Sequence, residues 1–219
     1  FIDAYVPDFV CNHSDPGGRY ALDQQPAVGY WNLQKLAQAL ADHVYGDALA
    51  AALAQYEHQL MLHYSELMRA KLGLAVWEDD DPALFRELFR LLAAHGVDYH
   101  LFLRRLGEVT REGVWPASLL ALLPDPAAWQ GWLEAYRARL TRESEDGVRK
   151  GLMDAVNPKY VLRNALAQRV IEAAEQGDMA PFERLFTALQ HPYDEQPEYE
   201  DLATPQPAWY CGGELSCSS

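Results

Sequence analysis

The opening loop of the sequence carries side chains of the kinds that do chemistry. Cys11, His13 and Asp15 alternate along it, and all three are metal-ligand types. A cysteine near a histidine can also serve as a nucleophile. Alternate spacing is poor for one metal centre, and close sequence neighbours tend to point apart, so the pattern disfavours both sites. Asn12 and Ser14, with the proline and glycines that follow, suit tight turns instead. The composition of the opening loop therefore predicts a turn-rich segment.

Two further positions carry polar side chains inside otherwise apolar patterns. Arg163, in the block 157–164, can clamp a carboxylate from the opening loop or from the tail, and an ordinary surface pair is the equal alternative. His63 lies in the apolar seam of a predicted helix, three residues before Glu66. That position predicts a hydrogen-bonded core histidine.

The cysteines are few and lie near the two ends of the chain. An odd number, Cys11, Cys211 and Cys217, is not a secreted disulfide framework, so reduced cytosolic thiols are the default. A bridge between Cys11 and Cys217 would tie the opening loop to the carboxyl end. Chemistry alone favours two independent thiols over that bridge, because nothing in the residues themselves brings the two together.

Composition excludes several classes of function. The chain has 219 residues, 49% of them apolar, which is enough for one domain with a sizeable core or one and a half. A net charge of −14 argues against nucleic-acid binding and against docking on anionic lipid. No apolar run approaches the ~18 residues that a membrane span needs. The chain does not begin with Met, and we expect it to be the second part of a longer protein.

Apolar periodicity predicts an all-α fold of about eight helices. The stripes repeat at helical spacing, and acidic or amide residues before them predict helix caps. Predicted helices include 30–46 and a single long helix, 47–72. The predicted caps are Asp47, Asp81, Asp125, Asn157 and Asp178.

The chain divides by composition into an opening loop (1–30), a helical region (31–190) and an acidic, proline-punctuated tail (191–219). Prolines exclude regular helix from the tail. Its aromatic residues favour an extended strap across the domain over disorder, because disordered tails contain few aromatics.

Five blocks of the sequence, in order, resemble the selenoprotein O (SelO, YdiU) family. They are residues 1–5, 11–21, 25–33, 157–164 and 216–219, and the likeness extends over the whole chain. The resemblance implies a fold similar to protein kinases. In that fold residues 1–30 correspond to the activation segment and the following helices to the C-lobe. The activation-segment candidates are Asn12, His13, Ser14, Asp15 and Arg19.

The resemblance also implies an activity. Members of this family are protein adenylyltransferases, which pass AMP from ATP to Ser, Thr or Tyr hydroxyls of proteins with Mg²⁺ or Mn²⁺. Their nucleotide-binding, catalytic and metal-binding residues precede residue 1, so we assign none here and expect this segment alone to be inactive. The implied partners are an N-terminal kinase-like lobe and acceptor proteins. The implied location is the bacterial cytoplasm, or mitochondria in a eukaryote. A helical docking or regulatory module without chemistry is the alternative.

A redox role for two thiols follows from the same resemblance. Some eukaryotic members carry selenocysteine near the carboxyl end, where this chain has Cys217 or its neighbour Ser216. The resemblance implies a redox bridge between the activation segment and the tail. It therefore favours Cys11 and Cys217 as a redox pair.

Overall fold

Helices form all the regular structure in the computed structural model, which describes residues 3–11, 14–207 and 210. The described residues contain no β-strand and one isolated bridge, between Ala4 and Asp98. The α-helices are α1 (Gln25–Ala39), α2 (Gly46–Ala54), α3 (Tyr56–Lys71), α4 (Asp81–His95), α5 (Tyr99–Leu106), α6 (Ala117–Leu120), α7 (Pro126–Leu140), α8 (Asp146–Asp154), α9 (Asn164–Glu175) and α10 (Ala180–Gln190), and two 3₁₀ helices are Leu22–Gln24 and Pro197–Leu202. The predicted all-α fold is confirmed; its likeness to a kinase C-lobe stays a prediction.

The described chain divides into two compact units, one of residues 3–5, 69–207 and 210, and a smaller one of residues 6–11 and 14–68. The larger unit has a core of leucines and aromatic rings from α4, α5 and α7. Leu88, Leu92, Trp129 and Tyr136 are fully buried, and Trp132 stacks on Tyr136 with 5.3 Å between ring centroids. These residues lie on the apolar stripes that the sequence predicted, because helical spacing places such residues on one face.

One predicted helix cap is replaced by a buried ion pair. Asp98 caps α5, since its carboxylate accepts a hydrogen bond from the Leu101 N–H over 2.9 Å. Asp81 was expected to cap α4, and that prediction is wrong because α4 begins at Asp81 itself. Its buried carboxylate instead lies 2.8 Å from Nε of Arg139 on α7. Leaving a buried carboxylate without a cation costs more free energy than leaving a helix without an N-cap.

The stretch 157–163 is irregular, where the sequence predicted a helix capped by Asn157. The Asn157 side-chain nitrogen donates to the carbonyl oxygen of Lys71 over 2.8 Å, and its side-chain oxygen, the atom that would cap a helix, accepts from Nζ of Lys71 over 3.4 Å. The Tyr160 N–H donates to the carbonyl oxygen of Pro192 over 3.1 Å. Polar groups of this block are thus satisfied by distant parts of the chain, and the helix, α9, begins only after it.

The smaller unit contains α1, α2 and most of α3. The predicted long helix 47–72 is two helices, α2 and α3, with a break at Gln55. Tyr56 begins α3, stacks on Tyr30 with 5.6 Å between centroids, and donates its hydroxyl to the carbonyl oxygen of Pro26 over 2.9 Å. These contacts with α1 position the start of α3. The apolar pattern of residues 47–72 alone does not predict them.

Large apolar side chains are exposed on the helices of the smaller unit. Neither α1 nor α2 contains a buried residue, and Leu36, Met61 and Leu67 are all more than half exposed. The His63 side chain is 65% exposed and lies 3.5 Å from Glu66, so the prediction of a core histidine is wrong. The seam of α3 that was expected to be buried is open here, and exposed apolar surface of this kind marks contact sites.

The tail packs on the larger unit. Leu202 and Ala203 are buried in a cluster with Tyr160, Leu185 and Ala188. The 3₁₀ helix Pro197–Leu202 replaces part of the extended chain that the sequence predicted. The expectation that prolines exclude regular helix from the tail is wrong for these residues, because a short 3₁₀ helix tolerates a proline at its start.

Candidate functional site

Arg163 joins the start of the opening loop (1–30), called the opening segment below, to the helical part of the larger unit. Its guanidinium is buried, with the side chain 2% exposed. Nη1 donates to Oδ1 of Asp3 over 3.3 Å, and Nη2 donates to Oδ1 of Asp98 over 3.2 Å, while Nη1 also contacts Oδ2 of Asp98. We call Asp3, Asp98 and Arg163 the Arg163 triad. Of the alternatives left open for Arg163, the structure has the clamp on a carboxylate of the opening loop.

Backbone hydrogen bonds hold the same junction. The Tyr5 N–H donates to the carbonyl oxygen of Val97 over 3.3 Å, and the Tyr99 N–H donates to that of Asp3 over 3.0 Å. Asp98 has two roles, since it caps α5 and binds Arg163. The start of the opening segment is thereby attached to the turn between α4 and α5 by side chain and backbone together.

The electrostatics of the triad follow from burial. Burial raises the pKa values of both Asp98 and Asp3, and the Arg163 charge opposes that rise. Burial also lowers the pKa of the neighbouring His100 to about 4, with the charges of Arg163 and Lys71 acting in the same direction. His100 is therefore neutral at pH 7. Its Nδ1 and the Nε of Arg163 have no hydrogen-bond partner within the described residues.

A second cluster of buried cations holds the tail. Nη2 of Arg104 donates to Oε1 of Glu195 over 2.7 Å, and Nζ of Lys159 donates to Oε2 of Glu195 over 2.6 Å. Arg104 also donates to the carbonyl oxygen of Tyr193. The bond from Lys159, more than that from Arg104, lowers the pKa of the Glu195 carboxyl to about 2. Sequence reasoning missed this cluster, because Glu195 is one acid among several in an acidic run.

The opening loop forms the turn that its composition predicted. The Asp15 carboxylate accepts hydrogen bonds from the N–H groups of Arg19, over 3.0 Å, and of Tyr20, over 2.7 Å. The Arg19 guanidinium lies over the ring of Trp31, 4.3 Å from its centroid. This cation–π contact connects the loop to α1 and is of a kind worth about 0.5–1 kcal/mol at an exposed site.

The other candidates of the loop are described only in part. Cys11 and Ser14 are exposed, and Cys11 is a free thiol among the described residues. Asn12, His13 and Cys217 lie outside the described residues, so the pairing of Cys11 with Cys217 stays a prediction. Across residues 3–11, 14–207 and 210, no group of three or more His, Cys, Asp or Glu side chains could hold a metal ion. In the same part of the chain, no helix has the length and apolar character to cross a membrane.

Comparison with known proteins gives the family. The family model described as protein adenylyltransferase SelO matches residues 1–190. Proteins named protein nucleotidyltransferase YdiU are similar to the chain along its whole length: those of Aeromonas hydrophila subsp. hydrophila, Aeromonas salmonicida and Vibrio cholerae are 95%, 83% and 47% identical. The chain covers 46% of each of these relatives, so it spans about half their length. The chain therefore belongs to the SelO family of protein adenylyltransferases.

Proposed function

We propose that this chain forms the activation segment and the helical C-lobe of an enzyme that transfers AMP from ATP to Ser, Thr or Tyr hydroxyls of proteins. The observation that carries the proposal is the family match over residues 1–190. In such a transfer the acceptor oxygen bonds to the α-phosphorus, the bond to pyrophosphate breaks, and the hydroxyl proton passes to a base. Positioning and charge stabilisation supply most of the catalysis in phosphoryl chemistry of this kind.

Under this proposal, ATP and Mg²⁺ or Mn²⁺ bind to the part of the parent protein that this chain does not cover. The described residues do not offer a set of metal ligands. The exposed apolar residues of α1 and α3, such as Leu36 and Leu67, would contact that remaining part, which supplies the N-terminal lobe. The same exposed residues would also serve the rival function, a helical docking module without chemistry.

Nucleotide labelling tests the proposal. We expect the parent-length protein, incubated with α-³²P-labelled ATP, Mg²⁺ and an acceptor protein, to label Ser, Thr or Tyr. The isolated 219-residue segment should give no label, because the proposal assigns ATP and metal binding to the missing half. Label from γ-³²P-labelled ATP would indicate phosphate transfer instead. Labelling by the isolated segment would contradict the assignment of the catalytic groups, and a parent protein that labels nothing would favour the docking module.

We further propose that Cys11 and Cys217 form a redox pair. Two thiols would give up two electrons and two protons to an oxidant such as hydrogen peroxide, with formation of one S–S bond. Exposure of Cys11 supports its access to the oxidant.

Peptide mapping tests this redox pair. After mild peroxide treatment of the parent protein, we expect peptide mapping under non-reducing conditions to recover a peptide that joins Cys11 to Cys217 and disappears with dithiothreitol. Cys11→Ser should remove the effect of peroxide on nucleotide transfer and leave ATP affinity unchanged. A link between Cys211 and Cys217 only, or no link, would contradict the pairing.

A further inference from the structure

We propose that Arg163 is a positioning residue, which holds the start of the opening segment on the larger unit through the carboxylate of Asp3. The predicted effect of this pair on nucleotide transfer rests on the proposed function. Its predicted effect on the attachment of the opening segment rests on the geometry of the Arg163 triad alone.

Geometry distinguishes Asp3 from Asp98 within the triad. Asp98 remains paired with Arg163 through two contacts if Asp3 is changed, and it also caps α5. Among the described residues, Arg163 is the one cation that the Asp3 side chain contacts. Neutralising Asp3 therefore removes the link to the opening segment and keeps the Asp98–Arg163 pair that stabilises the helical part.

Burial strengthens the Coulombic attraction between Asp3 and Arg163 compared with a surface ion pair, and the desolvation that raises the pKa of Asp3 opposes this gain. The Arg163 side chain is 2% exposed and that of Asp3 is 17% exposed, so water screens the pair weakly. Exposed ion pairs contribute little by comparison, because solvent screens them and their side chains lose entropy. An anchor at this position fixes the chain two residues before Tyr5, from which the rest of the opening segment continues.

The anchor has a consequence for turnover if the opening segment is the activation segment. A segment that contacts the acceptor must be held at one end for the acceptor hydroxyl to meet the nucleotide in a fixed geometry. Loss of such positioning lowers the rate of the chemical step, while binding of ATP elsewhere is unaffected. Arg163 would then act on the reaction through Asp3 and not by touching substrate.

Asp3→Asn in the full-length protein tests the proposal by amide hydrogen exchange and by kinetics. We expect the amides of Tyr5 and Tyr99, which bridge the junction, to exchange about 10-fold faster. For AMP transfer to a protein acceptor, we expect kcat to fall about 10-fold with the KM for ATP within twofold of wild type. Asp3→Glu, which keeps the charge, should restore both values to within about threefold.

Glu87→Gln is the matched control. It neutralises a carboxylate of the same unit that pairs with an arginine, Arg90, but on the exposed side of α4. Unchanged exchange in Asp3→Asn, equal exchange in Asp3→Asn and Asp3→Glu, or faster exchange in Glu87→Gln as well would overturn the anchor. Faster exchange with unchanged kcat would overturn its role in positioning. A wild-type protein that transfers no nucleotide contradicts the proposed function, and the exchange comparison still decides the anchor.

Discussion

Arg139→Ala is expected to destabilise the larger unit by about 3–5 kcal/mol, because it leaves buried carboxylates without their cation. The Arg139 side chain is 4% exposed, and its partners Asp81 and Glu143 are 1% and 2% exposed. It also donates to the carbonyl oxygen of Val76 over 2.8 Å. Urea denaturation of the protein followed by tryptophan fluorescence measures the change as a lower midpoint at constant slope.

Arg142→Ala provides the comparison for that prediction. Arg142 lies three residues further along, is 52% exposed and pairs with Glu78, which Arg139 also contacts. Its removal should cost no more than about 1 kcal/mol, as is usual for an exposed pair. Replacing both Arg139 and Asp81 by apolar residues should recover part of the lost stability. Equal losses for the two alanine variants would show that burial does not determine the worth of the Arg139 pair.

Gly73→Ala is the second change for which we expect a large loss, about 2–5 kcal/mol. Gly73 has φ +69°, a left-handed conformation that costs other residues about 1–2 kcal/mol. A Cβ atom there would lie 2.7 Å from Sδ of Met153 and 2.8 Å from Cγ of Arg149. Both side chains are buried in α8 and have little room to move, so overpacking adds about 1–3 kcal/mol.

Gly96→Ala separates the two parts of that cost. Gly96 ends α4 with φ +58°, and a Cβ atom at this position would meet nothing within 4 Å. Its replacement should therefore cost only the left-handed penalty, about 1–2 kcal/mol. The same denaturation experiment compares the two variants. If they lose equal stability, contact with Met153 and Arg149 adds nothing to the cost at Gly73.

Sequence reasoning identified the features of this fold that depend on local pattern. The apolar stripes of α4 and α7 and the cap of α7 at Asp125 all follow from spacing and residue type within one helix. Such features can be predicted because the residues that interact are neighbours in sequence. The break at Gln55 could not be predicted, because it depends on a hydrogen bond from Tyr56 to Pro26, on another helix.

Only part of the candidate site could be predicted from the sequence, namely Arg163. Residue type allowed Arg163 to clamp a carboxylate from the opening loop or the tail, with an ordinary surface pair as the equal alternative. Nothing in the sequence indicated that Asp98, which serves as an ordinary helix cap, would share that guanidinium. Likewise, the sequence position of Asp81 is that of a helix cap, but in the structure Asp81 pairs with Arg139. This pairing could not be predicted, because Arg139 is distant in sequence.

The Arg163 triad also imposes an order on the formation of the protein during synthesis. Asp3 and Arg163 are 160 residues apart in the chain. At a translation rate of about 5–20 residues per second, roughly 8–32 s pass between the addition of the one and of the other. Throughout that interval the opening segment has been made but has no guanidinium to bind. Its attachment to Arg163 can therefore form only after the helices from α1 to α8 have been synthesised.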